Sequence, residues 1–369
     1  MKQTMSRRPR WVKWMVGGAA GLALLAGMGV LTLWSRDDAS LKAAAEAAYQ
    51  EGVDLNKQHR LDQAVEQLTR AVTWDPDTHR YHQALVMTFI ALRQGPQAIH
   101  FYKELVQRYP KSGVVHYWLG RLYLERQSLD DAAREFELAR QLAPQDEHPL
   151  VSLGHVYLRQ GKEDEALAAY RKANELSPRI AAVHAGLGTI YFHRKEDDKA
   201  EAEYNDALMI DPSLSEARYN LSIIYERRKQ WDQAVKQWKK LLDDDPNESQ
   251  AREHLARYYL NNGQYADAVN EYTTLSEVRE SSPEVFLSLG EAQILLASTL
   301  TDVNEQRELK AAATESFQHV LDLEPSNAQA RRYLEQLNAK SPPKSSPESS
   351  PEFSHDRPAA RASAAEPNH

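Results

Sequence analysis

The side chains able to do chemistry in this sequence are thirteen histidines and a large set of carboxylates, for there is no cysteine. Without thiols there is no disulfide, no thiolate metal site, no cysteine nucleophile and no lipid attachment through a lipobox. His148 and His155 stand seven residues apart, two helical turns, and so face one way. With His193 they come nearest to a metal-ligand set. A zinc site needs such nitrogens to converge within ligand distance, and no i, i+4 histidine pair supports that convergence. The acidic run Asp243-Asp244-Asp245 reads as a solvated helix end rather than a calcium loop. Phosphate-binding loops, nucleophile elbows, H-E-x-x-H and EF-hand spacings are all missing. The expectation is therefore no catalysis, no cofactor and no metal, with function resting on binding.

Charge and hydropathy restrict what is bound. The formal net charge is -8. Residues 1–13 nevertheless carry Lys2, Arg7, Arg8, Arg10 and Lys13 without an acid, so the remainder is distinctly acidic. Nucleic-acid binding needs basic surface to displace counterions from phosphates, and no nucleic-acid partner is expected.

From Met15 to Trp34 the chain runs without a charge. As a helix rising about 1.5 Å per residue this stretch reaches roughly 30 Å, a bilayer core. Trp11 and Trp14 stand at one edge and Trp34 at the other, as interfacial belts require. The basic cluster before the span outweighs Arg36 and Lys42 after it. The positive-inside rule then keeps residues 1–14 in the cytoplasm and sends the chain after Trp34 across the membrane. Gly27-Met28-Gly29 offers small residues to a signal peptidase, but Val30 to Trp34 prolongs the apolar run beyond a signal core. The expected location is the bacterial inner membrane, single-pass, with residues 35–44 a linker and the body periplasmic.

The body has an internal period of thirty-four residues, with units starting at 45, 79, 113, 147, 181, 215, 249 and 283. Position 20 of successive units is Ala64, Ala98, Ala132, Ala166, Ala200, Ala234 and Ala268. Position 32 is Pro76, Pro110, Pro144, Pro178, Pro212 and Pro246, and position 8 is Gly52, Gly120, Gly154, Gly188 and Gly290. Rings recur at position 11 (Tyr123, Tyr157, Tyr191) and at position 24 (Tyr102, Phe136, Tyr170, Trp238). Each unit reads as two amphipathic helices. Small residues mark their close approach, large rings fill the flanking space, and the proline ends the second helix. Neither helix covers its apolar face alone, so units must stack into a solenoid.

This pattern resembles the tetratricopeptide repeat (TPR) family over residues 45–339. The resemblance implies an all-α, right-handed superhelical solenoid of eight helix-turn-helix repeats and a capping helix, behind one transmembrane helix. Two departures stand out. Glu280 replaces the proline of the seventh unit, and the eighth takes about eleven extra residues near Leu295 to Lys310, with Gln293 in place of the position-11 ring. His82, His116 and His184 all fall at position 4, where the family carries a bulky packing residue. Residues 340–369 are Ser, Pro, Ala and charge, and are read as a disordered tail.

In TPR proteins positions 2, 5, 9, 12 and 13 of the first helices line a concave groove. Carried over, these are Tyr117, Arg121, His148, His155, Arg159, Thr189, Phe192, His193, Tyr219, Glu226, Arg227 and Arg257. The mixture suits a peptide or helix laid along the groove. The family's carboxylate-clamp subtype is not matched, since of its Lys, Asn and Arg set only Asn220 is in place. The expected function is a membrane-anchored scaffold or adaptor in an envelope assembly or export complex. The alternatives are a polysaccharide- or pilus-export component binding a polymer or lipoprotein, and a periplasmic chaperone of the cytochrome-maturation type.

Overall fold

The alternation of small and large residues sets how closely helices pair. The computed structural model describes residues 38–338, and those residues form seventeen α-helices and no strand. Helices α1 (Asp38–Lys57) and α2 (Leu61–Trp74) make the first pair. Then come α3 (His79–Ala91) and α4 (Gly95–Arg108), α5 (Gly113–Glu125) and α6 (Leu129–Leu142), and α7 (His148–Arg159) and α8 (Glu163–Leu176). The series continues with α9 (Ala181–His193) and α10 (Asp197–Ile210), and α11 (Ser215–Arg227) and α12 (Trp231–Asp244). After Pro246 come α13 (Ser249–Asn261) and α14 (Tyr265–Val278), then α15 (Pro283–Thr299), α16 (Val303–Leu323) and a last helix, α17 (Ala328–Asn338). From the second pair onward the pairs start in phase, to within a residue, with the thirty-four-residue period. The chain divides into two compact units, one ending at Pro246 and one beginning at Asn247.

In the five repeats with glycine at position 8, the position-24 side chain, a ring in all but the first, lies on that glycine. A Cβ added to Gly154 would fall 2.5 Å from Tyr170 Cε1, and one on Gly120 would fall 2.7 Å from the Phe136 ring. Tyr170 is also pinned from the next repeat, where a Cβ on Gly186 would lie 2.4 Å from its Cζ. With no room to retreat, the ring would make each added methyl an overpacking error of about 1–3 kcal/mol. The position-20 alanines and the position-24 side chains are all buried, most of them completely.

A second regularity joins one repeat to the next. In four repeats position 4 carries a polar side chain that reaches the carbonyl of the preceding position-32 proline. His82 Nε2 is 2.9 Å from Pro76 O, His116 Nε2 3.3 Å from Pro110 O, and His184 Nε2 3.1 Å from Pro178 O. Arg218 donates to Pro212 O in the same way. The other end of each side chain meets position 23 or 24 of its own repeat: Tyr102, Glu135, Glu203 and Gln237 in turn. The packing role read for these histidines is thus also a hydrogen-bonding one, because a backbone carbonyl bared by the proline break must be satisfied where it is buried.

One boundary differs from the sequence reading. Helix α1 begins at Asp38, inside the stretch read as a linker, because Ala39, Ala43, Ala44 and Ala45 favour continuing the helix outward. The insertion of the eighth repeat lengthens both helices, to 17 and 21 residues, instead of opening a long loop. Asp302 caps α16, accepting from the amides of Asn304 at 2.7 Å and Glu305 at 3.1 Å. Gln293, in the place of a ring, is buried and accepts a 3.0 Å hydrogen bond from Ser316. No helix among the described residues is long and apolar enough to cross a membrane. The 15–34 span and the 340–369 tail lie outside the described residues.

Candidate functional site: the first-helix wall

In residues 38–246 the first helices of successive repeats touch one another, α1 to α3, α3 to α5, α5 to α7, α7 to α9 and α9 to α11. The first helices therefore form a continuous wall with the second helices behind it. Positions 2, 5, 9, 12 and 13 lie along that wall.

Tyr117 is the most deeply set of the expected groove residues. Its ring is buried and its hydroxyl accepts from Arg121 at 3.1 Å. The Arg121 guanidinium lies over the rings of Tyr117 and Trp118, 6.0 and 5.7 Å from their centroids, and of Arg121 and Tyr117 the arginine is the more exposed. His148 is exposed and paired with Asp146, its Nδ1 2.6 Å from Oδ1. That carboxylate raises the His148 pKa. His155 sits edge-on to Tyr170, ring centroids 5.7 Å apart. Water reaches it, yet the surrounding wall desolvates the ring and Arg121 opposes its charge, which together lower its pKa. Arg159 is exposed and bonded to Gln127.

Further along, Thr189 donates to Ala185 O at 2.9 Å and accepts from Tyr204 at 3.3 Å. Its hydroxyl is engaged in supporting the wall. Asn220 likewise donates to the Tyr204 hydroxyl at 3.1 Å. Phe192 is half-buried under Arg227, whose guanidinium is 4.6 Å from the ring centroid and 2.5 Å from Asp197. His193 is exposed, 3.2 Å from Glu163. Tyr219 and Glu226 are half-buried on α11. Arg257 belongs to the second unit, where its guanidinium meets His254 Nδ1 at 2.8 Å.

The three histidines considered as a metal set thus go separate ways, to Asp146, to Tyr170 and to Glu163. The wall holds what the groove reading left out. Met87 and Ile90, at positions 9 and 12 of the second repeat, are 60% and 45% exposed. Their positions in the period carried that signal. His79 meets Asp146, and beside it His148, across 67 residues of chain, which no spacing rule reveals.

Profiles of the tetratricopeptide repeat match residues 89–152, 151–215, 219–274 and 254–296, more than half of the chain. The chain belongs to the TPR family. No curated protein matches it. Among solved structures, Pseudomonas aeruginosa pilF is 19% identical, covers 59% of this chain and 99% of its own, and superimposes with a TM-score of 0.51. The C-terminal part of a TPR repeat-containing protein from Cytophaga hutchinsonii is 18% identical, covers 70% and 99% respectively, and gives 0.51. These likenesses are of fold. As a TPR protein the chain is a scaffold for protein–protein interaction, and members of this family are typically non-catalytic.

Proposed function

We propose that the first-helix wall of residues 79–227 binds an extended or helical segment of a partner protein, and that the chain presents this wall as a membrane-tethered scaffold in an envelope assembly or export complex. The observation carrying the binding reading is the exposure of Met87 and Ile90 on the wall itself. Large apolar side chains left open there favour an apolar anchor from a ligand. The Arg121 and Arg227 stacks on the same wall match the composition of interface hot spots. The tether rests on the uncharged run from Met15 to Trp34 with its basic flank.

Binding is tested by photo-crosslinking from the wall in the native cell, followed by identification of the crosslinked species. Replacing Met87 and Ile90 together by Asp should abolish the adduct. Met209→Asp, which charges a second-helix side chain that is 78% exposed, should leave it intact. Loss from the Met209 variant alone would place the interface on the other side. For the tether, a reporter active only outside the cytoplasm and fused after Glu366 should be on; a silent reporter reverses the orientation.

A further inference from the structure

We propose that His79, Asp146 and His148 form a binding site for one divalent transition-metal ion, zinc being the best match, on the first-helix wall. Asp146 stands between the two imidazoles. Its Oδ2 is 3.0 Å from His79 Nε2, and its Oδ1 is 2.6 Å from His148 Nδ1. One ligand atom from each of the three residues lies within 4.8 Å of the others. Tetrahedral zinc with bonds of about 2.0–2.2 Å holds neighbouring ligand atoms about 3.3 Å apart, so small side-chain shifts bring the set into range. The rings are held for this: they stack on each other with centroids 4.9 Å apart, and the Tyr117 ring packs edge-on against both, at 5.3 and 5.8 Å.

The repeat does not require this arrangement. His79 is at position 1, His148 at position 2 and Asp146 at position 34, and no other repeat has histidine at position 1 or 2. A second cluster, His184 with Glu203 and Asp206, is equally tight. There, however, both imidazole nitrogens are committed to the inter-repeat contact with Pro178 and Glu203. At the first cluster His148 is exposed, which leaves coordination positions open to water or to a ligand. Two imidazoles with one carboxylate select zinc, nickel or copper over magnesium and calcium, which prefer all-oxygen sets. His79 Nδ1 is buried without a hydrogen-bond partner. It lacks the acceptor that usually stands behind a metal-bound imidazole, which sets the expected strength below that of a closed structural site.

The test is calorimetric titration of the purified full chain, untagged and stripped with chelator, with zinc chloride. One equivalent is expected to bind ahead of any weaker uptake. His79→Ala and the isosteric Asp146→Asn should each weaken that equivalent by about tenfold or more. His100→Ala, which removes an exposed histidine 3.2 Å from Glu104, should leave it unchanged. Cobalt in place of zinc should give visible absorption bands that disappear in Asp146→Asn. Circular dichroism of the variants reports whether the fold is kept; the asparagine variant preserves the side-chain shape if the alanine variant does not fold. Wild-type binding no tighter than that of the variants, or a first equivalent lost only with His100, overturns the proposal.

Discussion

At the scale of single residues, the charge of a buried histidine is set by one neighbour. His116 and His184 each face two acceptors, a proline carbonyl and a glutamate, so both ring nitrogens must donate and the ring must be the cation. The Glu135 hydrogen bond accordingly raises the His116 pKa against the opposing effect of burial. At His184 burial is the larger influence and pulls down, but Glu203 and the Pro178 carbonyl together leave the pKa raised. His82 has the same carbonyl but Phe101 at position 23, and its Nδ1 accepts from the Tyr102 hydroxyl. Burial then pushes its pKa down to about 3. The two signs give opposite pH dependences. An unfolded histidine titrates near 6.5, so below that pH the unfolded chain takes up a proton that folded His82 refuses; stability falls with acidification, by about 2 kcal/mol at pH 5. His116 contributes fully below pH 6.5 and loses its contribution as pH rises through its raised folded value. In urea unfolding at pH 5 and pH 8, the advantage of wild type over His82→Gln should therefore shrink at pH 5, while that over His116→Gln should grow. Advantages that do not change with pH would refute these charge states. The sequence showed that position 4 was occupied by histidine; it did not show the charge, which depends on a residue nineteen or twenty places along the chain.

At the scale of elements, each repeat turns between its helices through one left-handed residue. Position 15 has positive φ in seven repeats: His59, Arg93, Gln127, Gly161, Lys195, Lys229 and Gly263. The amide of position 16 returns to the carbonyl of position 11, as in Ser128 to Tyr123 at 2.9 Å and Gln230 to Tyr225 at 2.8 Å. This is the six-to-one bond of a helix C-cap closed by a left-handed residue. Only two of the seven are glycine, so the period of small, large and proline residues disclosed the helix pairs while the conformation of this turn stayed hidden. The hydrogen bonds impose it on side chains that do not prefer it. A left-handed non-glycine residue costs about 1–2 kcal/mol, partly offset by the entropy that a glycine would add to the unfolded chain. Gly161→Ala should lower stability by about 1 kcal/mol. Nothing lies within 4 Å of where its Cβ would go, so the loss measures conformation alone. Lys229→Gly, at φ 59°, should gain a few tenths to about 1 kcal/mol. Denaturant unfolding of both variants checks the pair, and an alanine at 161 as stable as wild type would refute the account.

At the scale of the whole molecule, a repeat array is stabilised by neighbour contacts, and this decides which contacts were legible in advance. Contacts inside a repeat, or with the next one, recur at a fixed offset and so leave a periodic trace; the eight pairs and the last helix could be read from it. The meeting of His79, Asp146 and His148 draws on three successive repeats and occurs once, so no offset announces it. The same logic makes the eighth repeat vulnerable, because among the described residues no further helix pair follows to cover it. Helix α17 supplies the cover. Tyr333 stacks on the fully buried Phe317 with ring centroids 4.7 Å apart, Ala330 is fully buried, and Gln329 and Tyr333 both bind Glu291, at 2.8 and 3.0 Å. The helix is strongly amphipathic, with Arg331, Arg332 and Glu335 directed to solvent or its margin, so it closes the apolar face behind a polar surface. A chain ending at Asn327 should expose Phe317 and the half-buried Phe286, Leu287 and Leu321 packed around it. Compared with a chain ending at 339, it should melt at lower temperature and self-associate with rising concentration in sedimentation velocity, because exposed apolar surface of that kind is an association site. A monodisperse shortened chain with an unchanged midpoint would mean that the eighth repeat's two extended helices already close the array, leaving α17 without a capping role.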